Sequence, residues 1–326
     1  VHEKETVTAI ENTLNQWTSK NSPVGSVVLV IRNNEILMHK AFGWSSRERN
    51  IPMDTLSIFR MASMTKPILG TGILKLMEEG KLALSDKISN YIPAYKNISG
   101  DSITIEHLLR HQSGYNGRQI WSENSQMAQY PNLQAAIAVM ATHLPQLKLG
   151  TEEYSSLNSA LLAEVMNVVA GMPAEEYLRI KILTPLQMND TYLLDDTAAT
   201  WYSRVASTYE YNKETGQVSL YWDPQKDTTL APYFRGGVGA LSTAVDYAKF
   251  LKMWLNKGEL NGVRILREET VQLALDNKGK YFGLHWAIPA GPKNVDMPGF
   301  FGHRGWYGTS GSVYTKDKAI VIHLTQ

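Results

Sequence analysis

The two ends of this chain constrain its fold more than any other feature. Val27 to Ile31 is β-branched and apolar, Asn33-Asn34 suits a tight turn with left-handed backbone, and Ile36 to Lys40 resumes the extended pattern. This order predicts a β-hairpin. At the other end, Ser312-Val313-Tyr314, the polar run Thr315 to Lys318 and Ala319 to Leu324 predict a second hairpin. Hairpins at both termini with helical sequence between them imply one antiparallel sheet assembled from the two ends, flanked by helices, with a mainly helical lobe inserted in the middle. That is an α/β (α+β) arrangement. The sheet lobe is expected to comprise residues 1–58 and 230–326 and the helical lobe 59–229, with a site at their junction. A length of 326 residues agrees, because single cores seldom grow beyond about 250–300 residues.

Helical periodicity fills in the rest. Val7, Ile10, Leu14 and Trp17 form one stripe over Thr6 to Trp17. Ile68 to Glu79 is a helix stopped by Gly80, and Ile105 to Leu109 begins another. Asn158 to Val169 places Leu161, Leu162, Val165, Met166 and Val169 on one face before Gly171, and Val245 to Leu255 behaves likewise. No repeat or Pro-rich linker interrupts the chain, so the lobes are expected to share a rigid interface.

Composition removes whole classes of chemistry. With no cysteine there is no disulfide, thiolate metal site or cysteine nucleophile, so covalent catalysis must run through oxygen or nitrogen. A balance of 32 basic and 31 acidic residues offers no electrostatic footprint for nucleic acid. Apolar stretches such as Val27 to Ile31 fall far short of the roughly 20 residues that span a bilayer. Neither nucleic acid nor a membrane span is expected. The first residue is Val1 rather than Met, which suggests a trimmed chain or a removed signal peptide; a periplasmic or secreted location is expected, with the cytoplasm left open.

Three local patterns could carry chemistry. Ser63-Met64-Thr65-Lys66 stands at the start of a predicted helix, and residues three apart share a helix face, so the Lys66 amine can sit beside the Ser63 hydroxyl. A nucleophile there meets the positive end of the helix dipole. Lys66 would need burial or neighbouring positive charge to act as a base. By spacing alone, a capping serine with a solvated lysine is the commoner arrangement. Tyr154-Ser155-Ser156 precedes the Asn158 helix and could bring a phenol to a cleft. Gly302-His303-Arg304-Gly305-Trp306, followed by Gly308 and Gly311, would let a ligand approach the backbone closely, or simply form a turn between strands.

In order and context these segments resemble the serine β-lactamase-like hydrolases, with their β-lactamase/transpeptidase-like fold. The resemblance is carried by Phe59-Arg60-Met61-Ala62-Ser63-Met64-Thr65-Lys66, the stretch Ile103 to Gly114, Tyr154-Ser155-Ser156, the stretch Gly236 to Thr243, and His303-Arg304-Gly305. It is strongest for the group of class C β-lactamases, D,D-peptidases and esterases. It implies that Ser63 is the acylated nucleophile, Lys66 its proton acceptor and Tyr154 the group that passes the proton to the leaving group and later activates water. It further implies an oxyanion hole from the backbone amides of Ser63 and Trp306, with His303, Arg304, Gly305 and Ser156 around the substrate. The implied partner is a small-molecule ester, β-lactam or peptide, and no cofactor or metal is implied.

Two departures favour an ester. Ser156 stands where the family's second motif usually has asparagine, which shortens the clamp on an acylamide side chain. His303 stands where lactamases carry lysine, which removes a fixed cation for a substrate carboxylate; Arg304 next to it should point to the other face of a strand. The sequence therefore predicts a carboxylesterase working through an acyl-enzyme. A class C-like β-lactamase, a D-amino-acid peptidase or amidase, and a penicillin-binding sensor without turnover are the alternatives. Relatives usually continue past the closing hairpin, so part of the C-terminus is expected to be absent.

Rival sites are weaker. His107 and His111 have the helical spacing of a metal pair, but no Glu follows His107 as the zinc-protease pattern requires. Gly236-Gly237-Val238-Gly239 lacks the lysine of a phosphate loop, and its glycines are expected to let the backbone pass close to the site. Ser85-Asp86-Lys87 follows the first helix too closely to be a lactamase motif and is expected to be a turn and helix cap. No Gly-x-Ser-x-Gly elbow exists, which disfavours an α/β-hydrolase.

Overall fold

A computed structural model describes residues 2–96, 99–116, 129–194, 196, 198–226, 233–276, 281–288 and 299–326. Helix α1 (His2–Ser19) leads into β1 (Gly25–Arg32) and β2 (Glu35–Ser46), joined by Asn33 and Asn34 at φ 50° and 67°, the left-handed turn that the sequence predicts. Short strands β3 (Ile51–Pro52) and β4 (Phe59–Arg60) precede α2 (Thr65–Glu78) and α3 (Ile105–Leu109). Strands β5 (Thr208–Tyr211) and β6 (Val218–Trp222) pair with each other, as do β8 (Glu259–Leu260) and β9 (Val263–Arg264), while β7 (Leu241–Ser242) pairs with β4. The chain closes with β10 (Phe300–Arg304), β11 (Ser310–Tyr314) and β12 (Ala319–Thr325).

The main sheet has the order β10-β11-β12-β1-β2-β3 and is antiparallel throughout. Its centre is the seam between the two ends of the chain, running from Ser26 opposite Thr325 to Arg32 opposite Ala319. Alternation along β1 divides the sheet's two faces. Val27, Leu29 and Ile31 join the main core, whereas Val28 packs with Leu14, Met38 and Phe42 under α1. Val7 and Ile10 of the α1 stripe lie in that second layer, but Trp17 stays 48% exposed, contrary to its place in the periodicity.

The helical middle packs on the other face. Every residue from Thr65 to Leu74 of α2 is buried, so this helix has no solvent face along its first ten residues and reads as a core element. It runs beside the helix Ser156–Ala170, which ends on Gly171 at φ 67°. The helix Ala244–Leu255, N-capped by the Thr243 side chain, lies under β11 and β12. One apolar cluster joins Ile320 and Ile322 of the sheet to Leu161 and Leu162 of the helices, so both parts share a core. The expected boundary at 229/230 lies outside the described residues. Among the described residues no single helix is long and apolar enough to cross a membrane.

Candidate active site

The turn that carries Ser63 is pinned from several elements. Phe59 and Arg60 pair with Ser242 and Leu241, and the Met61 N–H continues that ladder to the Ala240 carbonyl at 2.8 Å. Ala62 then takes a left-handed backbone, φ 46°, which costs an alanine about 1–2 kcal/mol. The surrounding contacts hold it there. The Thr65 hydroxyl donates to the Ala62 carbonyl at 2.6 Å, and the Tyr247 hydroxyl reaches from the helix Ala244–Leu255 to the Met64 carbonyl at 3.0 Å. The 3₁₀ turn Ala62–Met64 leads directly into α2 and leaves Ser63 half-buried at its start.

Lys66, one turn on, is fully buried. Its Nζ donates toward three oxygens: Ser63 Oγ at 3.0 Å, Gly237 O at 3.0 Å and Ser156 Oγ at 3.3 Å. It also lies 4.9 Å from the centre of the Tyr154 ring. Desolvation brings its pKa down from 10.5 to about 7. The Tyr154 hydroxyl hydrogen-bonds Ser63, and burial pushes its pKa up to about 12. At neutral pH it is a phenol.

The third segment arrives on β10, where the pleat separates neighbours: His303 is buried, 6.2 Å ring to ring from Tyr154, and Arg304 turns to the exposed side. His303 Nδ1 donates to the Arg304 carbonyl at 2.9 Å. Its Nε2 is then an acceptor, and among the described residues nothing bonds to it. Burial, followed by the nearby Lys66, lowers the His303 pKa to about 3. Gly305 presses on the serine turn so closely that a methyl in its place would stand 2.5 Å from the Met61 carbonyl oxygen. The Trp306 side chain is 88% exposed, and its N–H donates to nothing among the described residues.

The structure therefore gathers Ser63, Lys66, Tyr154, Ser156 and His303 and brings Gly305 and Trp306 to the rim, while Arg304 faces away. Gly311 differs from its expected use: it makes room for Met64, Tyr247 and Leu251, so protein rather than ligand fills the space. His107 and His111 do not converge. His107 Nδ1 closes a capping box with Thr104 at the start of α3, and His111 lies behind Tyr154. The Gly236–Gly239 backbone passes the site as expected, with the Gly237 carbonyl on Lys66, while three participants escaped the sequence reading: the Tyr247 hydroxyl, Asn158 and His111. The stretch containing His111 was legible only as part of the resemblance.

The model of the Beta-lactamase family matches residues 11–326. This chain belongs to the beta-lactamase family. It is 27% identical to a "Putative D-alanyl-D-alanine carboxypeptidase" of Escherichia coli K12, over 91% of this chain and 78% of that one. It shares the fold of "EstCE1, a hydrolase with promiscuous acyltransferase activity", with a TM-score of 0.83 at 22% identity, covering 99% of this chain and 94% of that one. The class C beta lactamase of Rhodobacter sphaeroides has the same fold, with a TM-score of 0.74 at 18% identity over 97% and 93% of the two chains. The chain is a serine hydrolase of this fold, and the Ser63–Lys66–Tyr154 cluster lies within the family match.

Proposed function

We propose that this protein is a carboxylesterase that works through an acyl-enzyme on Ser63. The observation that carries the reading is the neutral, acceptor-only His303 Nε2 at the place where a lactamase has lysine. A carboxylate on a β-lactam or peptide would find no cation on that side chain. An uncharged ester needs none. Ser156 adds support, because its hydroxyl is engaged with Lys66 and is too short to grip an acylamide as well.

Each step of this reading has a side chain or amide to carry it. Lys66 as free amine gives its two N–H bonds to Gly237 O and Ser156 Oγ, which turns its lone pair toward the Ser63 hydroxyl. Ser63 Oγ attacks the ester carbonyl while its proton moves to Lys66 Nζ, and the oxyanion is met by the Ser63 and Trp306 amides. As the carbon–oxygen bond breaks, the Tyr154 phenol donates its proton to the departing alkoxide and is reprotonated from Lys66. Water then attacks the acyl carbon, giving up its proton through Tyr154 to Lys66, and as the bond to Ser63 breaks Lys66 passes a proton to Ser63 Oγ, releasing the acid with serine and free amine restored. Neutral histidines around the cluster leave this proton traffic to Lys66 and Tyr154.

The test is to incubate wild type and Ser63→Ala with p-nitrophenyl butyrate, a chromogenic cephalosporin and a D-Ala-D-Ala peptide, reading turnover and adduct mass. The ester should be turned over with a kcat/KM at least about 10² above the other two, and Ser63→Ala should form no adduct. Preferred turnover of the D-Ala-D-Ala peptide would move the chain to the activity named for its E. coli relative. A stoichiometric cephalosporin adduct with no ester turnover would make it a sensor.

A further inference from the structure

Tyr154 is held by a residue outside the proton path just described. His111 lies beyond the end of α3 with its backbone in the left-handed region, φ 55°. It grips the chain on both sides of Tyr154: its carbonyl accepts the Glu153 N–H at 2.8 Å, and its Nδ1 accepts the Ser155 N–H at 3.3 Å. Its ring lies against the phenol, with centroids 4.7 Å apart. The Asn158 amide donates to the same Nδ1 at 3.1 Å, and Asn158 Oδ1 is fixed by the Ser113 hydroxyl at 2.6 Å. An Nδ1 that accepts two N–H groups carries no proton, so the ring is the neutral tautomer protonated at Nε2. Phe282 and His285 close its other sides at 4.8 and 5.2 Å.

The direction of a side chain follows from the backbone on either side of it and from what its own ring touches. His111 controls all three for Tyr154. We propose that His111 is the positioning residue of Tyr154, a three-point clamp that aims the phenol hydroxyl at Ser63. The proposal rests on the reading of Tyr154 as the group that passes the proton. The strained backbone at His111 fits this role, because it turns both the carbonyl and the ring toward one strand of chain.

A double-mutant cycle on hydrolysis of an activated ester tests the clamp. His111→Phe keeps a ring of similar size but loses Nδ1; it should lower kcat about thirtyfold while KM stays within about threefold. His111→Asn tolerates the left-handed backbone and offers Oδ1 near the place of Nδ1, so it should recover to within about fivefold of wild type. In a Tyr154→Phe background the effect of His111→Phe should vanish, because there is no hydroxyl left to aim. A folded His111→Phe with kcat within about threefold of wild type overturns the clamp, and so does a loss of undiminished size in the Tyr154→Phe background. If His111→Phe does not fold, the cycle is run with His111→Gly, which accepts the left-handed backbone and removes the ring; kcat within about threefold of wild type, or a loss that adds fully to that of Tyr154→Phe, overturns the clamp. Wild-type activity in Tyr154→Phe alone overturns instead the reading of Tyr154, which keeps the two failures distinct.

Discussion

Lys66 Nζ stands 3.0 Å from Ser63 Oγ on a fully buried side chain, and among the described residues no carboxylate pairs with it. A buried amine without a counter-ion gives up its proton easily, and desolvation takes it to about 7. The amine is thereby about half deprotonated at neutral pH.

This sets the pH dependence. Protonated Lys66 cannot accept the serine proton, so kcat/KM for an ester should rise with pH through a midpoint near 7 and level off above it. A pH–rate profile checks this; a flat profile between pH 5 and 9 would remove Lys66 as the base. The native residue titrates near 7 and the unfolded one near 10.5, so between those values the unfolded chain holds more protons and Lys66 adds stability as pH rises. Urea unfolding of wild type against Lys66→Met should show the difference moving in favour of wild type over that window.

Ser156 should set the choice between ester and lactam. Replacing it with asparagine puts a carboxamide where the hydroxyl now meets Lys66 at 3.3 Å, leaving an N–H pair for an acylamide carbonyl. The ratio of cephalosporin to ester kcat/KM should rise about tenfold or more in Ser156→Asn. An unchanged ratio would remove one of the two grounds for preferring esters.

Gly305→Ala should damage the site with little effect elsewhere. The new methyl would meet the Met61 carbonyl at 2.5 Å and Thr309 Oγ1 as well, and both are fixed. The turn bearing the Trp306 amide must then retreat from Ser63. Steady-state kinetics should show kcat lowered at least about 10²-fold, the size of a lost oxyanion donor.

Tyr247→Phe tests the support beneath the nucleophile. It removes a buried hydroxyl that donates to the Met64 carbonyl at 3.0 Å and should cost about 1 kcal/mol in urea unfolding. Ester kcat should fall severalfold with KM unchanged; a full-rate enzyme would show that the turn holds without it.

Much of this was legible in the sequence, for physical reasons that also mark where legibility stopped. The hairpins at 27–40 and 312–324 and the helix ending at Gly171 follow from local alternation, paired asparagines and a left-handed glycine, and they stand as predicted. Ser63 and Lys66 meet because their spacing is one helical turn. The glycines at 236–239 announced a backbone passing the site but not that the Gly237 carbonyl would take Lys66, and the Tyr247 hydroxyl arrives from a distant segment that no local pattern marks. His111 was misleading for a related reason: its spacing from His107 suggested a shared helix face, but α3 ends at Leu109 and the backbone turns left-handed at 111. Glycine at 311 signalled a close approach without saying that Met64 and Tyr247 were what approached.

The seam at the middle of the sheet has a temporal consequence. Ser26 leaves the ribosome long before its partner Thr325, with synthesis of the chain between them taking on the order of tens of seconds. Through that interval β1 has only β2 beside it. Thr309 and the strand bearing His303 arrive in the same closing stretch, so the serine turn is translated long before the contacts that shape it. The pocket is thus completed only once β12 has been made, and a chain cut short of β12 would carry Ser63, Lys66 and Tyr154 without a finished pocket to hold them.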